Sequence, residues 1–212
     1  MRFAPPCLTA LAAAVLLSSQ ALAKVDEWKF RVYLDDKNIG HHQFRLREDG
    51  GQKQLVSEAR FKVKFLFINA YQYRHDSSEL WLGDCLRQID AKTSDNGKNL
   101  AVRGGIEGTR FVVQGTRGPA SLPACPMTFA YWNPRILSQT HLLNAQTGEY
   151  QEVRIESLGQ ETISVRGAQT TASRYALVAQ SYRIDLWYAQ DGRWLALETT
   201  TEKGRVLRYA IQ

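Results

Sequence analysis

Apolar and polar residues alternate with period two along most of this chain, a pattern typical of β-strands with one buried face. Trp28, Phe30 and Val32, for example, alternate with charged side chains. The alternating segments are short, and turn sequences such as Asn96-Gly97 separate them. Many short strands at close spacing indicate an antiparallel sheet rather than parallel βαβ units. We therefore predict an all-β fold with one large curved antiparallel sheet or incomplete barrel of about ten strands.

Residues 117–148 depart from this pattern, because they contain four of the six prolines. Proline cannot donate a hydrogen bond to a neighbouring strand, so this density argues against central strands. Pro134 suits the first turn of a short helix, which we predict to end near Asn144. The stretch is expected to form a loop-and-helix cover over the sheet.

The first 23 residues have the composition of a secretory signal peptide. Arg2 supplies the positive charge, residues 8–17 are mainly apolar, and Ala21-Leu22-Ala23 forms the cleavage site, with cutting expected after Ala23. The apolar run is too short for a membrane span, which needs about 20 residues. We predict export to the periplasm, with residues 24–212 forming a single β-rich domain.

Two cysteines, Cys85 and Cys125, follow the predicted cleavage site, whereas Cys7 lies inside the leader. Two cysteines in an oxidising compartment usually pair. Their bond would close a loop of about 40 residues, which the chain-entropy description values at roughly 4 kcal/mol. We predict a Cys85–Cys125 disulfide that tethers the cover to the sheet.

The segment from Tyr71 to Trp81 carries the most unusual residues on an apolar strand face. Extending the alternation from Phe61 places His75 and Glu79 on that face among aromatic rings, where burial shifts pKa values. His75 is therefore a candidate general base, with Glu79 or Asp76 assisting. Along a strand, however, His75 and Glu79 lie about 13 Å apart, so only a turn at Ser77-Ser78 would bring them together. The alternative is a buried polar network with a structural role.

Other constellations in the sequence are weaker. His41 and His42 are adjacent, and would therefore diverge on a strand. Asp185 beside Trp187 suits either a sugar site or ordinary aromatic packing. The sequence has no zinc helix, serine-hydrolase elbow or glycine-rich phosphate loop, so we predict neither a metal nor another cofactor.

The positive net charge of the chain is concentrated in its first three predicted strands. Lys and Arg number 27 against 21 Asp and Glu, for a formal net charge of +6. Cations occupy the polar phase of three successive predicted strands, at Lys29, Arg31, Arg45, Arg47, Arg60, Lys62 and Lys64. This cationic face could meet anionic lipid headgroups, lipopolysaccharide or an acidic glycan. It could equally be a solvated face that suppresses aggregation.

Several short motifs resemble those of an uncharacterised family of exported bacterial proteins, catalogued only as a domain of unknown function. They are Asp36-Lys37-Asn38-Ile39-Gly40-His41-His42-Gln43-Phe44, Tyr71-x-Tyr73-x-His75, Glu79-x-Trp81, Thr93-x-Asp95-Asn96-Gly97, Phe129-Ala130-Tyr131-Trp132 and Leu186-Trp187-Tyr188. The similarity extends over nearly all of residues 25–212. It implies a β-rich periplasmic protein and assigns no reaction, ligand or functional residue.

Two classes of function remain open from the sequence. The first is a binding or carrier protein for an amphiphilic or apolar component of the cell envelope, such as a lipid or glycolipid. Its candidate ligand-binding residues are Phe65, Tyr71, Tyr73, His75, Trp81, Trp132 and Trp187. The second is an envelope hydrolase acting on a glycan or ester, with His75 as general base. The missing nucleophile and paired-acid signatures favour the first class.

Overall fold

One antiparallel sheet organises the whole molecule. The structure, a computed structural model, describes residues 23–65 and 68–212, with only the backbone at positions 64, 65, 68 and 69. Within these residues the sheet has 14 strands. They are β1 (Lys24–Leu34), β2 (Lys37–Asp49), β3 (Gln52–Phe65), β4 (Ile68–Leu82), β5 (Cys85–Asp95), β6 (Lys98–Glu107), β7 (Arg110–Gly115), β8 (Gly118–Leu122), β9 (His141–Leu143), β10 (Tyr150–Val165), β11 (Ala168–Ala179), β12 (Arg183–Tyr188), β13 (Trp194–Thr200) and β14 (Val206–Ile211).

The sheet consists of two meanders joined through the first and last strands. Strands β1 to β8 follow one another outward, β14 to β9 follow one another on the other side, and β1 pairs with β14. The edges are therefore β8 and β9, two elements that the chain connects through residues 123–140. A sheet of this many strands curls rather than staying flat.

Curling brings the turns at the two edges into contact. The Thr116 N–H donates a hydrogen bond to the Thr147 carbonyl over 2.8 Å. Glycines permit this approach, because a Cβ added to Gly115 would lie 2.3 Å from the Thr147 oxygen, and Gly148 has φ +77°. Within residues 23–65 and 68–212 the edge strands do not pair with each other, so the sheet is an open one whose edges meet at this crossing.

The concave side of the sheet holds the main core. Phe30, on β1, and Trp194, on β13, are fully buried, with ring centroids 4.3 Å apart. Burial along β1 alternates as the sequence predicts, with Trp28, Phe30 and Val32 facing inward. The all-β fold and the large antiparallel sheet are therefore confirmed.

The prediction of about ten strands is wrong, because the sheet has 14. The strands that were missed are β8 to β11. Strand β8 contains Pro119, which is tolerated because β8 lies at the sheet edge, and β9 has three residues. Strand β10 is long but buries only Val153, so it has no clear apolar face for a sequence pattern to reveal.

The predicted helical cover is also wrong in form. Pro134 does begin a helix, but it is a 3₁₀ helix of five residues, Pro134–Ser138, and the chain is extended again at Gln139. Residues 141–143 then pair with β10 as strand β9. Instead of lying across the sheet as a lid, residues 127–133 enter the concave side, where most of them are buried. We call residues 127–133 the inserted segment.

The Cys85–Cys125 disulfide is present, which confirms the predicted pairing. It joins the start of β5 to the chain just before the inserted segment. Thiol labelling of the denatured, unreduced protein from an oxidising compartment should therefore find neither of these two sulfhydryls free, and labelling after reduction should find both. Labelling of both cysteines without reduction would contradict the pairing.

Candidate ligand-binding site

A cavity of about 470 Å³ opens at one end of the curled sheet. Strands β2 to β4 form one wall, β12 to β14 form the other, and the inserted segment borders it. Residues 144–146 and 201–202, from turns at that end, and the last residues of β13 lie at its mouth. This size falls within the range of small-molecule sites, about 300–1,000 Å³.

A second space, of about 520 Å³, lies at the opposite end of the sheet. Charged residues such as Lys24, Glu48, Asp191 and Arg193 line it. The mixed charges give it the character of a solvated surface cleft. The first cavity, with its aromatic lining and few charges, is the better candidate for an apolar ligand.

The cavity wall formed by β3 and β4 presents a row of polar side chains. Ser57 lies directly opposite Ser77 in the register of the two strands, and His75 lies opposite Ala59. Ser57, His75, Ser77 and Glu79 are each less than a tenth exposed and line the cavity. Alternation brings them there, because each occupies the inward phase of its strand.

His42 ties this row to the other wall. Its Nε2 lies 2.8 Å from the Ser57 hydroxyl, and its Nδ1 lies 3.3 Å from the Tyr209 hydroxyl. Burial lowers the pKa of His42 well below its usual range, and the nearby His75, His41 and Arg60 lower it further. His42 is therefore neutral at physiological pH and links β2, β3 and β14 by hydrogen bonds.

His75 makes a separate contact. Its Nδ1 lies 2.8 Å from the Thr93 hydroxyl on β5. Burial lowers the pKa of His75 to about 4, with a smaller opposing effect from Asp76. His75 is therefore neutral at physiological pH and well placed for hydrogen bonding in the cavity.

Glu79 connects β4 to the inserted segment. One of its carboxyl oxygens accepts hydrogen bonds from the Trp81 indole N–H over 2.9 Å and from the Thr128 hydroxyl over 3.3 Å. Burial raises the pKa of Glu79 to about 7, although both hydrogen bonds act to lower it. A large fraction of this carboxyl group is protonated at neutral pH.

The structure separates the two predicted catalytic candidates. Strand β4 runs unbroken through Ser77-Ser78, so the turn that would join His75 to Glu79 is absent and the two side chains have different partners. Asp76 points to the opposite face of the sheet, where it pairs with Arg60. No catalytic pair therefore forms around His75 among these residues.

The predicted ligand-binding residues fall into three groups. Tyr73 and Trp132 line the cavity together with His75. Trp81 is fully buried and packs edge-to-face on Trp132, so it supports the wall behind the lining. Tyr71 lies beside Asp95, and burial together with this carboxylate raises the Tyr71 pKa.

Trp187 does not line the cavity. Trp187 lies on the outer face in a small cluster with Ala172 and Leu195, and Arg174 covers its ring. Asp185 shares that outer face and accepts hydrogen bonds from Arg174 and Arg183. The side chain of Phe65 lies outside the described residues.

Trp132, which borders both the first cavity and the second cleft, has one unpaired polar atom. Its indole N–H is buried and has no hydrogen-bond partner within the part of the chain that the structure describes. An unpaired buried donor costs about 1–3 kcal/mol.

Sequence reasoning missed several cavity residues, chiefly His42, Ser57, Tyr131 and Tyr209. The sequence does predict that His42 faces inward, because it lies two residues before the apolar Phe44 on the same strand. The contacts of His42 with Ser57 and Tyr209 depend on strand pairing across the sheet, which a single sequence does not supply.

The convex face carries the predicted cations. Lys29, Arg31, Arg45, Arg47 and Lys62 are exposed and Arg60 is half-buried, whereas the side chain of Lys64 lies outside the described residues. Acidic neighbours neutralise part of this cationic face. Glu27 pairs with Lys29 and Arg45, and Asp76 pairs with Arg60.

A row of basic residues crosses four adjacent strands on this face. Arg31 lies opposite His41, His41 opposite Arg60, and Arg60 opposite Arg74. Like charges in direct cross-strand register, such as those of Arg60 and Arg74, destabilise a sheet. We call Arg31, His41, Arg60 and Arg74 the basic row.

No group of three or more His, Cys, Asp or Glu side chains in 23–65 or 68–212 is arranged to hold a metal ion. In the same residues, no helix has the length and apolar character needed to cross a bilayer.

The fold and cavity define a class, that of antiparallel β-barrel-like proteins with an internal cavity. The chain belongs to the family described as a domain of unknown function (DUF6134), which matches residues 30–212. This confirms the resemblance seen in the sequence motifs.

The fold is found in solved structures. One of them is described as a β-barrel-like protein of domain of unknown function DUF1849 from Brucella abortus. It aligns with a TM-score of 0.65 at 9% sequence identity, covering 92% of this chain and 98% of that chain. A likeness at this identity supports the fold alone. No curated protein shows significant sequence similarity to the chain.

Proposed function

We propose that this protein is an exported, periplasmic binding or carrier protein for an amphiphilic component of the cell envelope. The observation that carries the proposal is the cavity of about 470 Å³ that remains beside the inserted segment. A curved sheet must fill its concave side with its own side chains or with a guest. Here the inserted segment fills one part, and the cavity lies next to it.

The lining of this cavity suits a ligand with two kinds of surface. Aromatic rings from Tyr73, Phe129 and Tyr131 offer apolar contact, and hydroxyl and imidazole groups from Ser57 and His75 offer hydrogen bonds. Burying an acyl chain contributes about 0.8 kcal/mol per methylene group. A few fixed polar groups would orient its head.

Binding of an apolar fluorescent probe tests this proposal. N-phenyl-naphthylamine should show a saturable fluorescence increase with one site per chain, and lauryl amphiphiles should displace it. A linear, non-saturable signal that no amphiphile reverses would contradict the proposal.

The cationic face supports a second part of the proposal, which is that the protein docks on an anionic membrane surface. Each Lys or Arg near such a surface contributes about 1 kcal/mol. The basic row favours this partner, because Arg31 and Arg74 expose guanidinium groups, which bind phosphate groups well. Delivery of an envelope amphiphile would need such an encounter.

Vesicle sedimentation tests the docking. Replacing Arg31 and Arg74 with Gln should weaken binding to phosphatidylglycerol vesicles by roughly 30-fold, at about 1 kcal/mol per arginine. The matched control replaces Arg103 and Arg154, two exposed arginines on β6 and β10. Equal losses in both variants, or no binding by the unaltered protein, would contradict the docking proposal.

One observation supports the alternative function, a hydrolase, but it involves His42 and not the predicted base His75. The 2.8 Å contact between His42 Nε2 and the Ser57 hydroxyl has the spacing of a base and its nucleophile. Labelling of the protein by a fluorophosphonate reagent, lost in Ser57→Ala, would favour the hydrolase over the carrier. We expect no labelling, because the polar row serves as a binding surface.

A further inference from the structure

We infer that the cavity selects amphiphiles whose head group is uncharged and bears hydroxyl or amide groups, an inference that rests on the proposed function and names its ligand class. The cavity presents the hydroxyl groups of Ser57, Ser77 and Thr128 and the imidazole of His75. These groups exchange hydrogen bonds with neutral oxygens and nitrogens. They supply no counter-charge to an ion.

The pleat of the sheet keeps the cations away from the cavity. Ser57, Ser77 and His75 face inward on β3 and β4, and the adjacent phase of the same strands carries Arg60, Asp76 and Arg74 on the convex side. Successive side chains of a strand point to opposite faces. An anionic head bound inside would therefore be separated by the sheet from the guanidinium groups that would neutralise it.

Acidic residues lie both on the cavity wall and at the cavity mouth. Glu79 lies on the wall beside the inserted segment, and Glu202 is exposed at the mouth. The exposed Glu202 would repel a carboxylate, sulfate or phosphate head at the mouth, and Glu79 offers such a head no positive charge. A buried ion without a partner pays a desolvation penalty of several kcal/mol.

The cavity wall at Glu79 also offers little negative charge to a cationic head group. The carboxyl oxygen of Glu79 that carries hydrogen bonds already accepts them from Trp81 and Thr128. Burial raises the Glu79 pKa to about 7, so a large share of the group is neutral at physiological pH. A head with hydroxyl or amide groups can use this wall without requiring a charge on Glu79.

Displacement of N-phenyl-naphthylamine by three amphiphiles with the same lauryl chain tests the inference. The three are monolauroylglycerol, which is uncharged, dodecyl sulfate, which is always anionic, and dodecyltrimethylammonium, which is always cationic. Below their micelle concentrations, monolauroylglycerol should bind at least tenfold more tightly than either ion. Equal or tighter binding of either ion would overturn the inference while leaving the carrier proposal standing, whereas failure of all three to bind would overturn both.

A matched pair of variants ties the selectivity to the inward face. Ser77→Lys places a cation in the cavity and should shift the preference toward dodecyl sulfate by at least tenfold. Ser78→Lys adds the same charge to the neighbouring, exposed position and should leave the preference unchanged. An equal shift in both variants would overturn the inference. If Ser77→Lys fails to fold, the comparison of the three amphiphiles on the unaltered protein still tests the inference.

Discussion

Tyr73→Asp is expected to abolish amphiphile binding, with a loss of at least a hundredfold. Tyr73 forms part of the cavity wall and stacks on Phe61, with ring centroids 5.1 Å apart. The substitution removes a large apolar contact and adds a carboxylate where an acyl chain would lie. A hundredfold loss corresponds to about 3 kcal/mol, which is modest beside the cost of an unpaired charge in an apolar site.

The control for this prediction is Tyr33→Asp. Tyr33 is a half-buried tyrosine on β1, and Arg208 covers its ring at 5.3 Å, so the same substitution there adds charge away from the cavity. Binding by Tyr33→Asp should match that of the unaltered protein. A second variant, Ala145→Trp, leaves Tyr73 intact and should reduce binding by filling the cavity mouth. Its control is Ala168→Trp, at an exposed position on β11. Normal binding by folded Tyr73→Asp and Ala145→Trp proteins would contradict the site.

Glu79→Gln is expected to change how stability depends on pH. The Glu79 pKa is about 7 in the folded protein and about 4.5 in the unfolded chain. Between these values the unfolded chain releases a proton that the folded protein keeps, so the free energy of unfolding falls as pH rises. The total loss is about 3 kcal/mol. Glutamine keeps the hydrogen-bonding oxygen and removes this loss.

His75 produces the opposite trend. Its pKa is about 4 in the folded protein and 6.5 in the unfolded chain, so the unfolded chain takes up a proton first as pH falls. Stability is therefore lost as pH falls from 6.5 toward 4, again by about 3 kcal/mol in total. Where the two ranges overlap, the opposing effects of Glu79 and His75 partly cancel.

Denaturant unfolding at several pH values measures both effects. The stability of Glu79→Gln relative to the unaltered protein should rise by about 3 kcal/mol between pH 4 and pH 8. For His75→Gln the relative stability should instead rise as pH falls through the lower range. A constant difference across pH for Glu79→Gln would show that Glu79 ionises normally, and it would contradict the buried contact with Thr128.

Much of the fold was predictable because inward and outward residues alternate strictly along the central strands. On β4 the phase set at Phe61 correctly placed Tyr73, His75 and Glu79 on the buried face. Alternation failed for β10, where both faces are largely exposed, and for β8, where Pro119 lies in an edge strand. In those places no apolar periodicity exists to be recognised.

The site was only partly predictable, because it depends on contacts between distant segments. The strand pattern identified Tyr73 and His75, but the partners of His42 come from β3 and β14. The course of the inserted segment was hidden as well, because prolines near residues 119–134 suggested a surface cover. Trp187 was misplaced for a simpler reason, since an aromatic residue on a strand can be buried by a small cluster on either face.

Native mass spectrometry of the protein purified from the periplasm of its own organism tests the central claim most directly. We expect a chain lacking the leader, with one non-covalently bound amphiphile whose head group is uncharged. The same preparation of Tyr73→Asp should carry none, and Tyr33→Asp should carry it at the normal level. Purification of only unliganded chain, together with no saturable binding of added lauryl amphiphiles, would contradict the claim.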